Sequence, residues 1–107
     1  MRRSAKEVIA ATLAEQFPDT ACADVIGRRR AFKVARWACM AAVREQCPHL
    51  SFPQIGKIFE RDHTTILYGV NEAYRMRHRA TLRANVLKRQ HQAWLARVVA
   101  AQESVAA

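Results

Sequence analysis

The sequence carries little turn punctuation: three glycines and three prolines in 107 residues. A many-stranded fold needs turn residues at short, regular intervals, and so few cannot supply them. β-Branched residues never alternate with polar ones over a strand's length, so period-two burial is missing too. Both absences exclude a sandwich or barrel and leave an all-α chain. Cysteine is scarce and odd in number, with Cys22, Cys39 and Cys47 and no C-x-x-C pair. All three read as reduced and structural, in a cytosolic setting. There is no signal-peptide core and no apolar run long enough to cross a bilayer, so no membrane partner is expected. No loop of the form G-x-x-x-x-G-K-[ST] occurs, which removes the expectation of an intrinsic ATPase. His49, His63, His78 and His91 are scattered, without carboxylates at metal-ligand spacing. The chain is therefore expected to hold no metal, cofactor or catalytic centre, and not to be an enzyme.

Acidic residues are the other scarcity. Nine Asp and Glu face 18 Lys and Arg, a formal net charge of +9. Only Lys6, Lys33, Lys57 and Lys88 are lysines, so the excess is arginine. Arginine presents a planar fork of donors suited to phosphate and to guanine edges. A small basic domain usually meets nucleic acid, less often an acidic membrane or protein. The length predicts one domain over residues 1–107, with a core at 4–78 and a helical extension at 79–101.

Helical periodicity organises what is there. Ser4 caps a first helix and Glu7 completes a capping box. Ala5, Val8, Ile9, Thr12, Leu13 and Gln16 follow an i, i+3, i+4 rhythm that makes one face mostly apolar, and Pro18 ends the helix. Ala21–Ile26 supplies one or two turns. Gly27–Lys33 (GRRRAFK) is the densest basic run. Such runs are usually solvated loops. Three consecutive arginines nonetheless repel one another, and phosphates relieve that repulsion, so the run is read as an anion-binding loop. Val34–Gln46 is apolar around most of its circumference and predicts a buried central helix, with Arg36, Arg44 and Glu45 on its wet edge. Ser51 caps a short helix with Pro53 in its first turn. Gly56 lies inside that helix, and one use for it is a close approach by the next. Glu60 and Arg61 make a turn, and Asp62 caps a second helix running to about Arg77. Ile66, Val70, Ala73 and Tyr74 form its buried stripe. Thr64 and Thr65 are poor helix formers there and fit better as exposed hydroxyls able to touch phosphate or a base edge. Ala80–Ala101 predicts a final helix before a frayed tail. Ala80, Ala84, Leu87, His91, Trp94, Val98 and Ala101 form a heptad-like seam. The favoured reading packs it on the protein's own core. The other makes it a homodimer or protein-partner surface.

A short helix, a turn and a second helix with a polar tip make a helix-turn-helix, whose second helix enters the major groove N-terminus first. The residues from about Val25 to Ala73 resemble the C-terminal DNA-binding domain of the bacterial replication initiator DnaA. The resemblance is carried by Gly27-Arg28-Arg29-Arg30, by Ala35-Arg36-Trp37-Ala38-Cys39-Met40 and by Ser51-Phe52-Pro53-Gln54-Ile55-Gly56. Phe59 and Arg61-Asp62-His63-Thr64-Thr65-Ile66-Leu67-Tyr68-Gly69 complete it.

The resemblance implies a small helical bundle of the DnaA C-terminal or Trp-repressor-like kind, here with an extra C-terminal helix. It makes Asp62, His63, Thr64, Thr65 and Leu67 the major-groove base readers. An arginine among Arg28, Arg29 and Arg30 becomes the minor-groove contact, Arg28 being the gap-free choice. Arg36 and Arg61 fall at backbone-binding positions, and Lys33 and Lys57 are further phosphate candidates. The implied partner is double-stranded DNA, at a short A·T-rich box in origins and some promoters. Four departures bear on that box. Glu60 stands where the family usually has glycine, Tyr68 replaces a histidine, and Asn71-Glu72 replace a basic pair. The turn Cys47–Leu50 is one residue longer than usual. The family's initiators carry an ATPase domain ahead of this module, and a stand-alone protein without it is expected from the sequence. The resulting expectation is a bacterial, cytoplasmic, nucleoid-associated regulator of transcription or replication. The alternative is a protein-interaction adaptor that uses the C-terminal helix and keeps the helix-turn-helix as scaffold.

Overall fold

The computed structural model describes residues 3–27 and 31–106, the side chains of 104–106 excepted. Among these residues there are five helices and no strand: α1 Ala5–Gln16, α2 Cys22–Val25, α3 Lys33–Gln46, α4 Phe52–Phe59 and α5 His63–Ala106. The all-α architecture is as expected. The chain divides into two compact units, Met1–Arg75 and Met76–Ala107.

The first unit holds the core. Ser4 Oγ accepts from the Glu7 amide at 3.2 Å and starts α1. The Cys47 amide closes α3 on the Val43 carbonyl at 2.8 Å. Ser51 and Gln54 form a reciprocal capping box at the start of α4, with bonds of 2.8 and 3.3 Å. From α1, Val8, Ile9 and Leu13 are buried against Cys39, Met40 and Val43 of α3, with Ile55 and Phe59 of α4 and Ile66 and Val70 of α5. The central place of α3 follows from its composition, since small and apolar residues cover most of its surface. Arg44 is half-buried, donates to the Leu50 carbonyl at 3.2 Å and lies 4.7 Å over the Phe52 ring. It thereby holds the 47–51 connection. Cys39 and Cys47 are buried and free, and burial pushes the Cys39 thiol up to about 12. Cys22 is free but exposed, so the structural reading fits the other two better.

Two glycines set helix spacing. A Cβ on Gly56 would lie 2.5 Å from the Arg61 carbonyl oxygen, a backbone atom with no rotamer to turn away. The Arg61 amide also donates to the Gly56 carbonyl at 2.8 Å, so the turn folds directly over this residue. Gly56→Ala is expected to destabilise the protein by about 1–3 kcal/mol, as overpacking does, despite alanine's better propensity. An unchanged thermal midpoint for that variant would rule out the close-approach role. Gly69, buried on α5, is the second. A Cβ there would meet Met40 Sδ at 2.5 Å and Trp37 Cδ1 at 2.9 Å. It lets α5 lie against α3.

Three details differ from expectation. The second helix of the motif does not end near Arg77: α5 runs to Ala106. Nothing between Val70 and Ala106 breaks a helix, because neither glycine nor proline occurs there. Tyr74 is 40% exposed and does not join the buried stripe. The seam beginning at Ala80 is exposed, including Leu87 and Trp94, where the sequence favoured burial against the core.

Candidate nucleic-acid interface

The tip of α5 is built by the turn before it. Glu60 stops α4 by adopting the left-handed conformation, φ 56° and ψ 41°. For a residue with a Cβ this costs roughly 1–2 kcal/mol, which explains why glycine suits this position. A Cβ on Gly27 would sit 3.4 Å from Glu60 Oε2, so this carboxylate lies at the foot of the basic loop. Glu60→Gly is expected to stabilise the fold by about 1 kcal/mol. Removing the negative charge is also expected to raise duplex affinity at low salt. Chemical denaturation and a duplex titration check the two effects separately.

Asp62 then caps α5. Its Oδ2 accepts from the Thr64 amide at 3.3 Å and from the Thr64 hydroxyl. Its main-chain carbonyl accepts from the Thr65 and Ile66 amides at 3.1 and 3.2 Å. Hydrogen bonds from Thr64, first the hydroxyl and then the amide, hold the Asp62 carboxyl below its usual value. A depressed carboxyl stabilises the tip at and above the ordinary aspartate range. That contribution is lost only as pH falls through the lowered value. The bond also orients Thr64: with its proton given to Asp62, the hydroxyl offers lone pairs outward, matched to a base donor such as adenine N6 or cytosine N4. His63 Nδ1 lies 3.4 Å from Asp62 Oδ1, which aims Nε2 away from the cap.

Around this tip the structure gathers most of the expected residues. Asp62, His63, Thr64 and Leu67 are exposed and Thr65 is half-buried. Lys57, Arg61, Asp62, His63 and Thr65 border an open hollow of about 600 Å³ with Pro53, Gly56 and Glu60. A second hollow of about 340 Å³ lies between Lys33, Arg36, Arg61, Thr65 and the aromatic pair Trp37 and Tyr68. Lys33 Nζ sits 5.2 Å over the Trp37 ring. Trp37 and Tyr68 meet edge to face, with centroids 5.9 Å apart and 72° between planes. Trp37 and Tyr68 were not expected at the site. The signal available was the i, i+4 spacing of Lys33 and Trp37 and of Thr64 and Tyr68, which puts each pair on one helix face.

Arg36 requires a correction. It is not on the wet edge of α3 but 4% exposed. Its Nε donates to the Val25 carbonyl at 3.0 Å and its Nη2 to the Ala31 carbonyl at 3.0 Å. Arg61, half-buried, donates from Nε to the Gly27 carbonyl at 2.6 Å, and the Gly27 amide donates to the Phe59 carbonyl at 3.0 Å. Two arginines thus grip the backbone on both sides of the arginine run. Arg28, Arg29 and Arg30 themselves lie outside the described residues. Burial, and then the charge of Arg61, pull Arg36 below its usual value. Like charges held this close favour the arrival of an anion.

A buried helix behind a capped polar tip, beside a clamped basic loop, is the arrangement of a helix-turn-helix that docks on DNA. The family of the bacterial DnaA protein helix-turn-helix matches residues 7–73. The chain belongs to this family. The DnaA-type match opens in α1 and closes at Ala73, which is also the last buried residue among those described. Within it, α4 and the start of α5 are the two helices of a DNA-binding helix-turn-helix. No solved structure matches the chain. Among the described residues no helix is long and apolar enough to cross a membrane, and no His, Cys, Asp and Glu cluster could hold a metal ion.

Proposed function

We propose that this protein reads duplex DNA sequence-selectively and acts by occupancy, as a regulator of transcription or replication. The observation that carries the reading is the tip of α5. Its cap fixes Thr64 as an outward acceptor, and His63 and Leu67 are exposed beside it. In this reading His63, Thr64, Thr65 and Leu67 meet base edges in the major groove, Leu67 and the threonine methyls contacting thymine. Asp62 orders the tip and offers Oδ1 to a base donor. Arg28, Arg29 and Arg30 enter the adjacent minor groove or meet its phosphates, and Lys33, Lys57 and Arg61 border the phosphate track. Arg36 acts differently from the other cations: it holds the loop's backbone from inside, so that the arginines are delivered in register.

Selection of bound sequences from a random duplex pool at stated salt tests the proposal. Enrichment of a short motif is the expected result, and Arg28→Ala is expected to weaken binding to it. Uniform recovery of all duplexes would refute sequence selectivity. The A·T-rich box of the DnaA family is the natural first comparison. Glu60 and Tyr68 border the two hollows beside the tip, and with the Asn71-Glu72 replacement of a basic pair they give reason for a shifted preference.

A further inference from the structure

The second unit presents an unpartnered helix face that the DNA-reading site does not use. Met76, Leu87, Trp94 and Leu95 are exposed, and Val98 is half-buried. Ala80 and Ala84 leave a hollow of about 410 Å³ on this helix, bordered by Met76, Arg79, Arg83 and Leu87. His91 stacks on Trp94, with ring centroids 5.9 Å apart and planes at 24°. Small residues at a seam let a second helix approach closely, and a hollow between side chains is what an incoming knob fills. Exposed apolar surface of this extent marks an interaction site.

The charges decide what covers it. Between Met76 and Glu103 the helix carries Arg77, Arg79, Arg83, Lys88, Arg89 and Arg97 and no acidic residue before Glu103. With Ala80, Leu87, Trp94 and Ala101 as one seam position and Ala84, His91 and Val98 as the other, Arg83, Gln90 and Arg97 flank one side. Thr81, Lys88, Leu95 and Gln102 flank the other. A second copy in parallel would set Arg83 against the partner's Lys88, and in antiparallel would face arginine with arginine. Neither arrangement forms one attractive pair, and like charges at these positions select against pairing. An anionic bilayer fits poorly too. Surface-lying helices separate apolar and charged faces strongly, whereas Arg79 and Arg89 here share the far side with Leu82 and Val86.

We infer that this face docks an acidic amphipathic helix of another protein, its apolar residues on the Leu87–Trp94–Val98 stripe and its carboxylates on Arg83, Lys88 and Arg97. The inference is independent of which DNA sequence the first unit reads.

The test uses the full chain and three probes at 0.15 M salt, on the order of physiological ionic strength. One is a four-heptad synthetic helix with Leu and Ile at the seam and Glu at the flanks. The second is the same helix with Lys at the flanks, and the third is vesicles of phosphatidylserine and phosphatidylcholine. The Glu helix is expected to bind at least about tenfold more tightly than the Lys helix. Leu87→Asp with Trp94→Asp is expected to abolish that binding while duplex binding is retained. The triple exchange Arg83→Glu, Lys88→Glu, Arg97→Glu should reverse the preference, a result that lost folding could not produce. Equal binding of the two helices, binding to vesicles alone, or sedimentation of the wild-type chain as a dimer that the Glu helix does not dissociate would each overturn the inference.

Discussion

Arg36→Ala is expected to cost about 2–3 kcal/mol of folding stability, because it strands one buried and one part-buried carbonyl that accept charge-assisted hydrogen bonds. The acceptors are Val25 O and Ala31 O, both 3.0 Å from the guanidinium. For a domain core of this size such a loss lowers the thermal midpoint by several degrees for each kcal/mol. DNA affinity is expected to fall as well, but in a distinctive way. A side chain that neutralises a phosphate contributes to the salt dependence of binding, so its removal makes the log K against log salt line shallower by about one phosphate's share. A side chain that only holds the loop leaves that slope nearly intact while affinity drops. Arg36→Ala should therefore show lower affinity on an almost unchanged slope. Lys57→Ala, at an exposed position on α4, should show an unchanged midpoint and a shallower slope. The opposite pattern would return Arg36 to the phosphate track and dismiss the clamp.

The second large effect concerns discrimination. The combined variant His63→Ala, Thr64→Ala, Thr65→Ala is expected to lose most of the difference between the preferred duplex and a scrambled one, with each base contact worth about 1–3 kcal/mol. Binding that survives should be the salt-dependent, sequence-independent remainder supplied by the arginine-rich loop. The single changes are not equivalent. Thr64→Ala removes both an outward acceptor and the donor to Asp62 Oδ2. It is expected to cost stability at the helix start as well as selectivity. His63→Ala leaves the cap intact, so selectivity should fall with stability held. Competition titrations paired with thermal denaturation distinguish these outcomes.

Much of this architecture was legible in the sequence because local chemistry dictated it. Ser4, Ser51 and Asp62 announce three helix starts through hydroxyl or carboxylate caps. Proline at 53 fits only a first turn, and glycine at 56 marks the close approach that its missing Cβ permits. The motif residues likewise announced the tip. What escaped lies across the chain. An arginine inside an apolar helix looks like a wet edge until its acceptors are known, and those of Arg36 come from residues on either side of the arginine run. In the sequence Gly69 stands only as the end of the motif, yet it is the point where α5 meets Met40 and Trp37. The length of α5 was readable and misjudged. The stripe Ile66, Val70, Ala73 continues through position 77 into Ala80, Ala84 and Leu87 without a change of spacing. Only the charge of Arg77 interrupts it, and an interrupted apolar pattern is no helix stop.

The exposed remainder of α5 gives the protein a second surface with chemistry of its own. If the first unit selects a DNA site, a partner on Leu87 and Trp94 is recruited to that site. Effects of Leu87→Asp and of His63→Ala on the two binding activities should then be independent, as expected of positions with no shared partners.

The central claim is that the capped tip of α5 distinguishes DNA sequences. It is tested most directly by a competition measurement on the wild-type chain, comparing its most enriched duplex with a scrambled duplex of equal length and composition at about 0.15 M salt. The account predicts a preference of at least about 10³-fold, the lower range for sequence-specific binders, and its collapse in the His63, Thr64, Thr65 variant. Equal affinity for both duplexes, or a preference unchanged in that variant, would contradict it.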